Sequence, residues 1–239
     1  MLVERKKVWQ DRPFTREIYY RYFEQIVREF APGRVNIELG GGSGMAREFI
    51  PNALTSDIVS TPYVDFVADA MQMPLPDGSV DNLFMVDVLH NLPRPARLFE
   101  EIIRVLRPGG RFIMVEPYIS LFSRLVFRLA HPEPVDMSAD PLPKDDVPVF
   151  TGVGPFASNQ AIPRLVFFEH RERFSRRFGK LRIVRRRLDS NIAYPLSGGF
   201  SGPCLVPKFA WPLAWALEAC TLPLTRWMAF RLIVTLERV

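Results

Sequence analysis

The stretch Val35-Asn36-Ile37-Glu38-Leu39-Gly40-Gly41-Gly42-Ser43-Gly44 decides how the rest of the chain is read. A short apolar run ends on an acid and passes into glycines at alternate positions, Gly40, Gly42 and Gly44. The pattern predicts a buried strand at 35–39, a tight turn, and a helix over 42–50. Glycine permits positive φ at such a turn and lets a ligand approach the backbone where a Cβ would obstruct it. The acid at the strand end puts a negative charge beside the crevice. That charge suits a ribose hydroxyl or an ammonium and suits a pyrophosphate poorly. Many nucleotide folds share such glycines, so the turn alone names no function.

Outward from this turn, strands and helices alternate. An amphipathic helix over 14–30 precedes it, with Phe14, Ile18, Tyr22, Ile26, Val27 and Phe30 at helical spacing and Ala31-Pro32-Gly33 as the stop. Strands are expected at 53–58, 64–68 and 80–86, then a helix at 95–106. Arg107-Pro108-Gly109-Gly110 is a turn signal before a strand at 111–115. Such alternation implies a parallel sheet with helices on both faces. Residues 117–163 then carry eight prolines around an apolar-basic helical segment at 120–130, the composition of a lid or binding loop. A helix at 165–178, a strand at 181–188, a Gly/Pro/Ser loop at 195–207, an apolar region at 209–227 and a last strand at 231–237 complete the chain.

The 239 residues, 48% hydrophobic and 24% charged, fit one α/β domain. Cys204 and Cys220 match no metal or redox spacing, which points to a reducing compartment. The first residues lack the apolar core of a secretory signal, and no run of about 18 apolar residues suits a spanning helix. A cytoplasmic location is therefore expected. The net charge of +5 permits an acidic partner. Nine Lys and Arg residues crowd into 171–187, either as a solvated face or as a patch for phosphate or anionic lipid. Nothing there favours nucleic acid. Residues 200–227 hold three of the four tryptophans, with Lys208 and Arg226 beside Glu218 as the only acid. They read as buried helices capping a site or as a shallow contact with the inner face of a membrane.

Three blocks in order give residues 33–116 a family likeness. They are Glu38 to Gly44; Ala68-Asp69-Ala70-Met71-Gln72-Met73-Pro74-Leu75-Pro76-Asp77-Gly78-Ser79-Val80-Asp81; and Val88-Leu89-His90-Asn91-Leu92 followed by Glu101 to Gly110. Together they resemble class I S-adenosylmethionine-dependent methyltransferases of the small-molecule type, related to ubiquinone-biosynthesis methyltransferases. The resemblance implies a Rossmann-like, doubly wound, seven-stranded α/β sheet, mostly parallel with a C-terminal antiparallel strand. It also implies one domain over 1–239, with the cofactor core at 33–116 and acceptor-side insertions at 117–163 and 189–227.

Carried over by position, Glu38 meets the methionine ammonium, and Gly40, Gly42 and Gly44 line the cofactor's path. Asp57 takes the ribose hydroxyls and Ile58 packs on adenine. Asp69, Ala70 and Met71 lie at the adenine edge, and Asp87 with His90 faces the methionine end. Glu38 stands where aspartate is commoner. The implied activity is methyl transfer from S-adenosylmethionine to a small-molecule, glycan or lipid-linked acceptor, preferably at oxygen.

Such a displacement needs alignment and a deprotonated acceptor, and it needs no metal. The candidate acid–base residues are His90, Glu116 and Tyr118, at the carboxyl edge of the fourth and fifth strands, with His131 in the insertion as a further possibility. His170 reads as solvent-facing. Two rivals are a noncatalytic S-adenosylmethionine-binding protein and an NAD(P)-dependent oxidoreductase. The second would want glycine at position 45, where Met45 stands.

Overall fold

The computed structural model describes residues 2–130, 133–150, 157–200 and 202–239. Seven strands form one sheet in the order β3-β2-β1-β4-β5-β7-β6. They are β1 (Asn36–Leu39), β2 (Leu54–Asp57), β3 (Phe66–Val67), β4 (Val80–Val86), β5 (Leu106–Pro117), β6 (Leu181–Asp189) and β7 (Arg231–Arg238). Pairings from β3 through β5 are parallel, and β7 runs antiparallel to both β5 and β6. This is the expected sheet, with its single reversed strand slotted between the fifth and sixth.

Residues alternate across the sheet, so each face gathers its own core. Leu83 and Met85 of β4, Phe112 and Met114 of β5, and Leu232 and Val234 of β7 face α3 (Pro95–Val105). Beside α3 on this face lies a helical run made of Ile162–Arg164, a π turn at Leu165–Glu169, and Arg171–Arg177. On the other face, Phe84, Ile113, Val115 and Ile233 meet two N-terminal helices, α1 (Leu2–Asp11) and α2 (Pro13–Arg28). Pro13 opens α2 at the position where its missing N–H costs nothing. Buried Asn82 ties the end of α2 to the sheet, accepting from Ala31 N and donating to Ala31 O.

Two expectations change. The helix predicted over 42–50 is only a short 3₁₀ turn at Ala46–Glu48, because Gly44 sits at φ 66° and Pro51 follows directly. The predicted turn at 107–110 lies within β5, whose pairing with β4 shifts register between Val80 and Asn82. Residues 117–130 and 189–228 both leave the carboxyl edge of the sheet. The first carries α4 (Leu121–Ala130); the second carries α5 (Ala193–Ser197), α6 (Trp211–Cys220) and α7 (Thr225–Met228). Among the described residues no helix is long and apolar enough to cross a membrane.

Phe99 of α3 is fully buried, with ring centroids 4.9 Å from Phe174, 5.3 Å from Phe178 and 6.0 Å from Phe167. Phe99→Ala is expected to lower stability by about 3–5 kcal/mol through transfer loss and a residual cavity. Denaturant unfolding checks this, and a loss under about 1 kcal/mol would show that the aromatic cluster closes over the gap.

Candidate functional site

The turn after β1 is built around one buried carboxylate. Gly40 takes φ 76°, and Gly41 donates its N–H to Ser56 O. A Cβ on Gly41 would lie 2.2 Å from Glu38 Oε2 and 2.3 Å from Thr55 Cγ2, so only glycine lets this carboxyl fold beneath the turn. Glu38 is buried and its Oε2 has no hydrogen-bond partner. Burial, assisted by the Asp57 charge and opposed by the Thr55 hydrogen bond and the Arg47 charge, pushes its pKa up to about 8.

Asp57, at the end of β2, braces the neighbouring loops. Its Oδ2 accepts from Gly42 N and its Oδ1 from Val59 N, each at 2.9 Å. A carboxylate oxygen has two lone pairs, so both atoms keep capacity for further donors. Ile58 beside it is exposed. Asp69 Oδ1 accepts from Met71 N at 2.8 Å, fixing the turn through half-buried Ala70 and Met71. These residues form one rim along the ends of β1, β2 and β3.

Beyond β4 the chain turns through Asp87, a non-glycine residue at φ 60°. Tyr19 of α2 donates to its Oδ2 at 2.7 Å, and Arg231 Nη1 of β7 pairs with its Oδ1 at 2.6 Å. Burial is the largest influence on the Asp87 carboxyl and acts upward. The charge and hydrogen bond of Arg231, with His90 and Tyr19, outweigh it and hold the pKa below the ordinary range.

His90 follows in a 3₁₀ turn. Its Nδ1 lies 2.8 Å from Glu116 Oε2; its Nε2 lies 3.3 Å from Asn91 Nδ2 and 3.7 Å from Glu133 Oε2. Glu133 also accepts from Gln160 and Ser158. Burial pulls the His90 pKa down most strongly, but the Glu116 hydrogen bond and the charges of Glu116, Asp87 and Glu133 together hold it above the ordinary value.

A cavity of about 440 Å³ opens over these groups. Tyr19, Asp87, His90 and Glu133 give it a polar floor, and Phe122 and Phe230 are among its apolar walls. The structure thus gathers Glu38, the glycine turn, Asp57, Asp69, Asp87 and His90 along one edge of the sheet.

Two expected catalytic residues fall elsewhere. Glu116 is fully buried and spends its carboxylate on His90 and on the N–H groups of Val88 and Leu89, at 2.9 and 2.8 Å. It positions the turn and does not line the cavity. Tyr118 belongs to the core on the α3 face, 5.2 Å from the Phe168 ring, and is absent from the cavity lining. It shares strand parity with Phe112 and Met114, so it points the same way. His131 lies outside the described residues. Arg231, Tyr19 and Glu133 escaped the sequence reading. Only Arg231 left a signal, as a lone charge opening the apolar strand Leu232-Ile233-Val234. No group of three or more His, Cys, Asp or Glu side chains able to hold a metal exists among the described residues.

Residues 38–114 match the family model described as a methyltransferase domain. The ubiquinone/menaquinone biosynthesis C-methyltransferase UbiE of Rubrivivax gelatinosus is 32% identical over 132 residues, covering 44% of this chain and 53% of the relative. The protein of the same name from Methylobacterium nodulans is 48% identical over 54 residues, covering 22% of this chain and 21% of the relative. The matched stretches therefore span from about a fifth to about half of these relatives' length. A solved S-adenosylmethionine-dependent methyltransferase from Archaeoglobus fulgidus superposes with a TM-score of 0.54 at 14% identity, covering 93% of this chain and 94% of that one. Residues 38–114 are thus similar to a methyltransferase domain, and the sheet shares its fold with an enzyme that uses S-adenosylmethionine.

The residues present fit that cofactor. A buried acid with an unpartnered oxygen suits a cationic group, and the methyltransferase domain places that acid under a glycine turn at the open edge of the sheet. A raised carboxyl pKa also has a consequence for stability. Folding favours the protonated Glu38, so its contribution is fully present below the unfolded value near 4.5 and is lost as pH rises through about 8. Glu38→Gln removes this titration. Between pH 5 and pH 8.5 the ligand-free wild type should therefore lose melting temperature relative to Glu38→Gln, as differential scanning fluorimetry would show; parallel curves would contradict the raised pKa.

Proposed function

We propose that the protein moves the methyl group of S-adenosylmethionine onto an acceptor held in the cavity over Asp87 and His90, with His90 as general base and oxygen as the acceptor atom. The observation that carries this reading is His90, which lines the cavity, with Nδ1 fixed by Glu116 and Nε2 beside Asn91 and Glu133. S-adenosylmethionine supplies an activated methyl on a sulfonium with a neutral leaving group. The remaining work falls to this chain. Glu38 and Asp87 provide negative charge for the methionine ammonium and the sulfonium. Asp57 accepts the ribose hydroxyls, Ile58 and Met71 flank adenine, and Asp69 accepts its amine. The turn through Gly40, Gly42 and Gly44 leaves the approach clear. Residues 117–163 and 189–227 shape the acceptor side.

At His90, Nδ1–H donates to Glu116, so Nε2 carries the lone pair, which accepts from Asn91 Nδ2 until an acidic acceptor hydroxyl takes that place. As the acceptor oxygen attacks, its proton passes to Nε2, and Glu116 stabilises the imidazolium that forms. Asp87 at φ 60° is held by Arg231 and Tyr19, so the groups beside the reacting atoms need little rearrangement. A second reading places the methyl on a carbon activated by the same deprotonation, because the UbiE relatives are named C-methyltransferases.

Titration calorimetry with S-adenosylhomocysteine should show Asp57→Ala weakening binding by about 1–3 kcal/mol. Unchanged affinity would remove Asp57 from the site. His90→Ala should cut turnover of hydroxylated acceptors about 10²–10⁴-fold while sparing cofactor affinity. The wild-type kcat/KM should rise with pH through an inflexion above the ordinary histidine value of about 6.5, and Glu116→Gln should shift that inflexion down. A flat profile would dismiss His90 as base, and cofactor binding without turnover of any acceptor would favour a noncatalytic binding protein.

A further inference from the structure

The outer face of α4 is apolar and cationic. Leu121, Leu125 and Leu129 recur every four residues, so they share one stripe, and they are 73%, 54% and 77% exposed. Arg124 and Arg128 are exposed beside them. α4 packs against α7, where Arg226 and Trp227 are also exposed. Chain continuity carries the same character back through Leu224 and Leu222 to α6. There Trp211 and Trp215 turn inward onto Phe14, while Leu213 and Leu217 turn outward, with Phe209 and Lys208 exposed just before them. Exposed apolar side chains in this number mark a contact surface rather than ordinary solvent exposure.

Charge identifies the occupant. α4 contains no acid, and the only acid of residues 200–228 is Glu218, which turns inward to cap the N–H groups of Asn191, Ile192 and Ala193. Arg124, Arg128, Lys208 and Arg226 have no acidic partner among the described residues. The basic run at 171–187 is different. Arg173, Arg177, Arg182, Arg185 and Arg187 pair with Asp140, Glu100, Glu237, Glu29 and Asp189, so five of its nine cations are paired, against none of the four on the α4 and α6–α7 face among the described residues. Exposed leucines and a tryptophan interleaved with unpaired cations are what an anionic bilayer surface attracts. α4 also edges the cavity, which its Phe122 and Val126 line together with Leu205 from the loop before α6.

We propose that the α4 and α6–α7 face docks on an anionic lipid bilayer, with the cavity mouth turned toward the lipid, so that an amphiphilic acceptor enters from the membrane plane. The docking stands on the surface alone; the entry route rests on the acceptor reading of the cavity given above.

The full chain should cosediment with phosphatidylcholine vesicles that contain phosphatidylglycerol, lose that binding as salt is raised, and ignore phosphatidylcholine alone. Arg124→Gln combined with Arg128→Gln should weaken partitioning about tenfold or more. Leu121→Asp, Leu125→Asp and Leu129→Asp together should abolish it, with S-adenosylhomocysteine affinity retained as proof of folding. A solvatochromic label on exposed Cys204, beside the cavity-lining Pro203 and Leu205, should shift to the blue on vesicle binding in a Cys220→Ser background. Equal binding to neutral vesicles, or none by folded protein, would overturn the docking. A dimer dispersed by the leucine variants would make a second copy of the chain the occupant and overturn it too. A bound protein whose label does not shift would overturn the entry route and leave methyl transfer untouched.

Discussion

The pair between Arg231 and Asp87 is the interaction on which the site depends. It joins the exit of β4 to the start of β7 and, through Tyr19, to the N-terminal helix α2. Arg231 is buried, with its guanidinium 5.4 Å from the Tyr22 ring and 4.9 Å from the Tyr194 ring. A buried cation costs several kcal/mol in lost hydration, which one carboxylate and aromatic faces offset only in combination. Its Nε and Nη2 make no hydrogen bond, so the ring faces substitute for acceptors. Breaking such a pair from either side costs about 3–5 kcal/mol, since the survivor is left charged and dry. The pair therefore sets the shape of the cavity floor, including the left-handed backbone at Asp87.

Glu116 does the corresponding work one strand over. A carboxylate that accepts three backbone N–H bonds and one imidazole bond has little freedom left. These bonds brace the 3₁₀ turn after β4 and aim the ring of His90. Chemistry at the carboxyl edge of an open sheet needs this kind of bracing, because loops there have no ladder of their own.

Much of this was legible in the sequence, for physical reasons that differ from residue to residue. The strands of the sheet show as apolar runs between turn signals, and the three motif blocks fix which strand ends meet the crevice. Local spacing says nothing about pairings across 144 residues, the separation of Asp87 and Arg231 (231 − 87). Tyr118 was misread because a position near a strand end says which edge is close and leaves the face undecided; parity with Met114 decides it. The 42–50 helix failed because glycine at positive φ and a following proline outweigh the periodicity of six residues. The basic run at 171–187 leaves a solvated face and a ligand patch both open in the sequence, because acids that pair with it lie on distant strands and helices.

The acids also explain one another. Glu38, Asp57, Asp87, Glu116 and Glu133 crowd one edge of the sheet, and only some find cationic partners within the chain. Glu38 is left with a bare oxygen in a dry place and holds its proton up to about pH 8. A fold gains nothing from such a group for its own stability, since a glutamine there would avoid the penalty of ionisation. The arrangement becomes favourable once a cation enters, when the carboxylate is neutralised without water. A donor bearing both an ammonium and a sulfonium is such a ligand, and the unpartnered carboxyl oxygen at the end of β1 is the physical reason to expect it there.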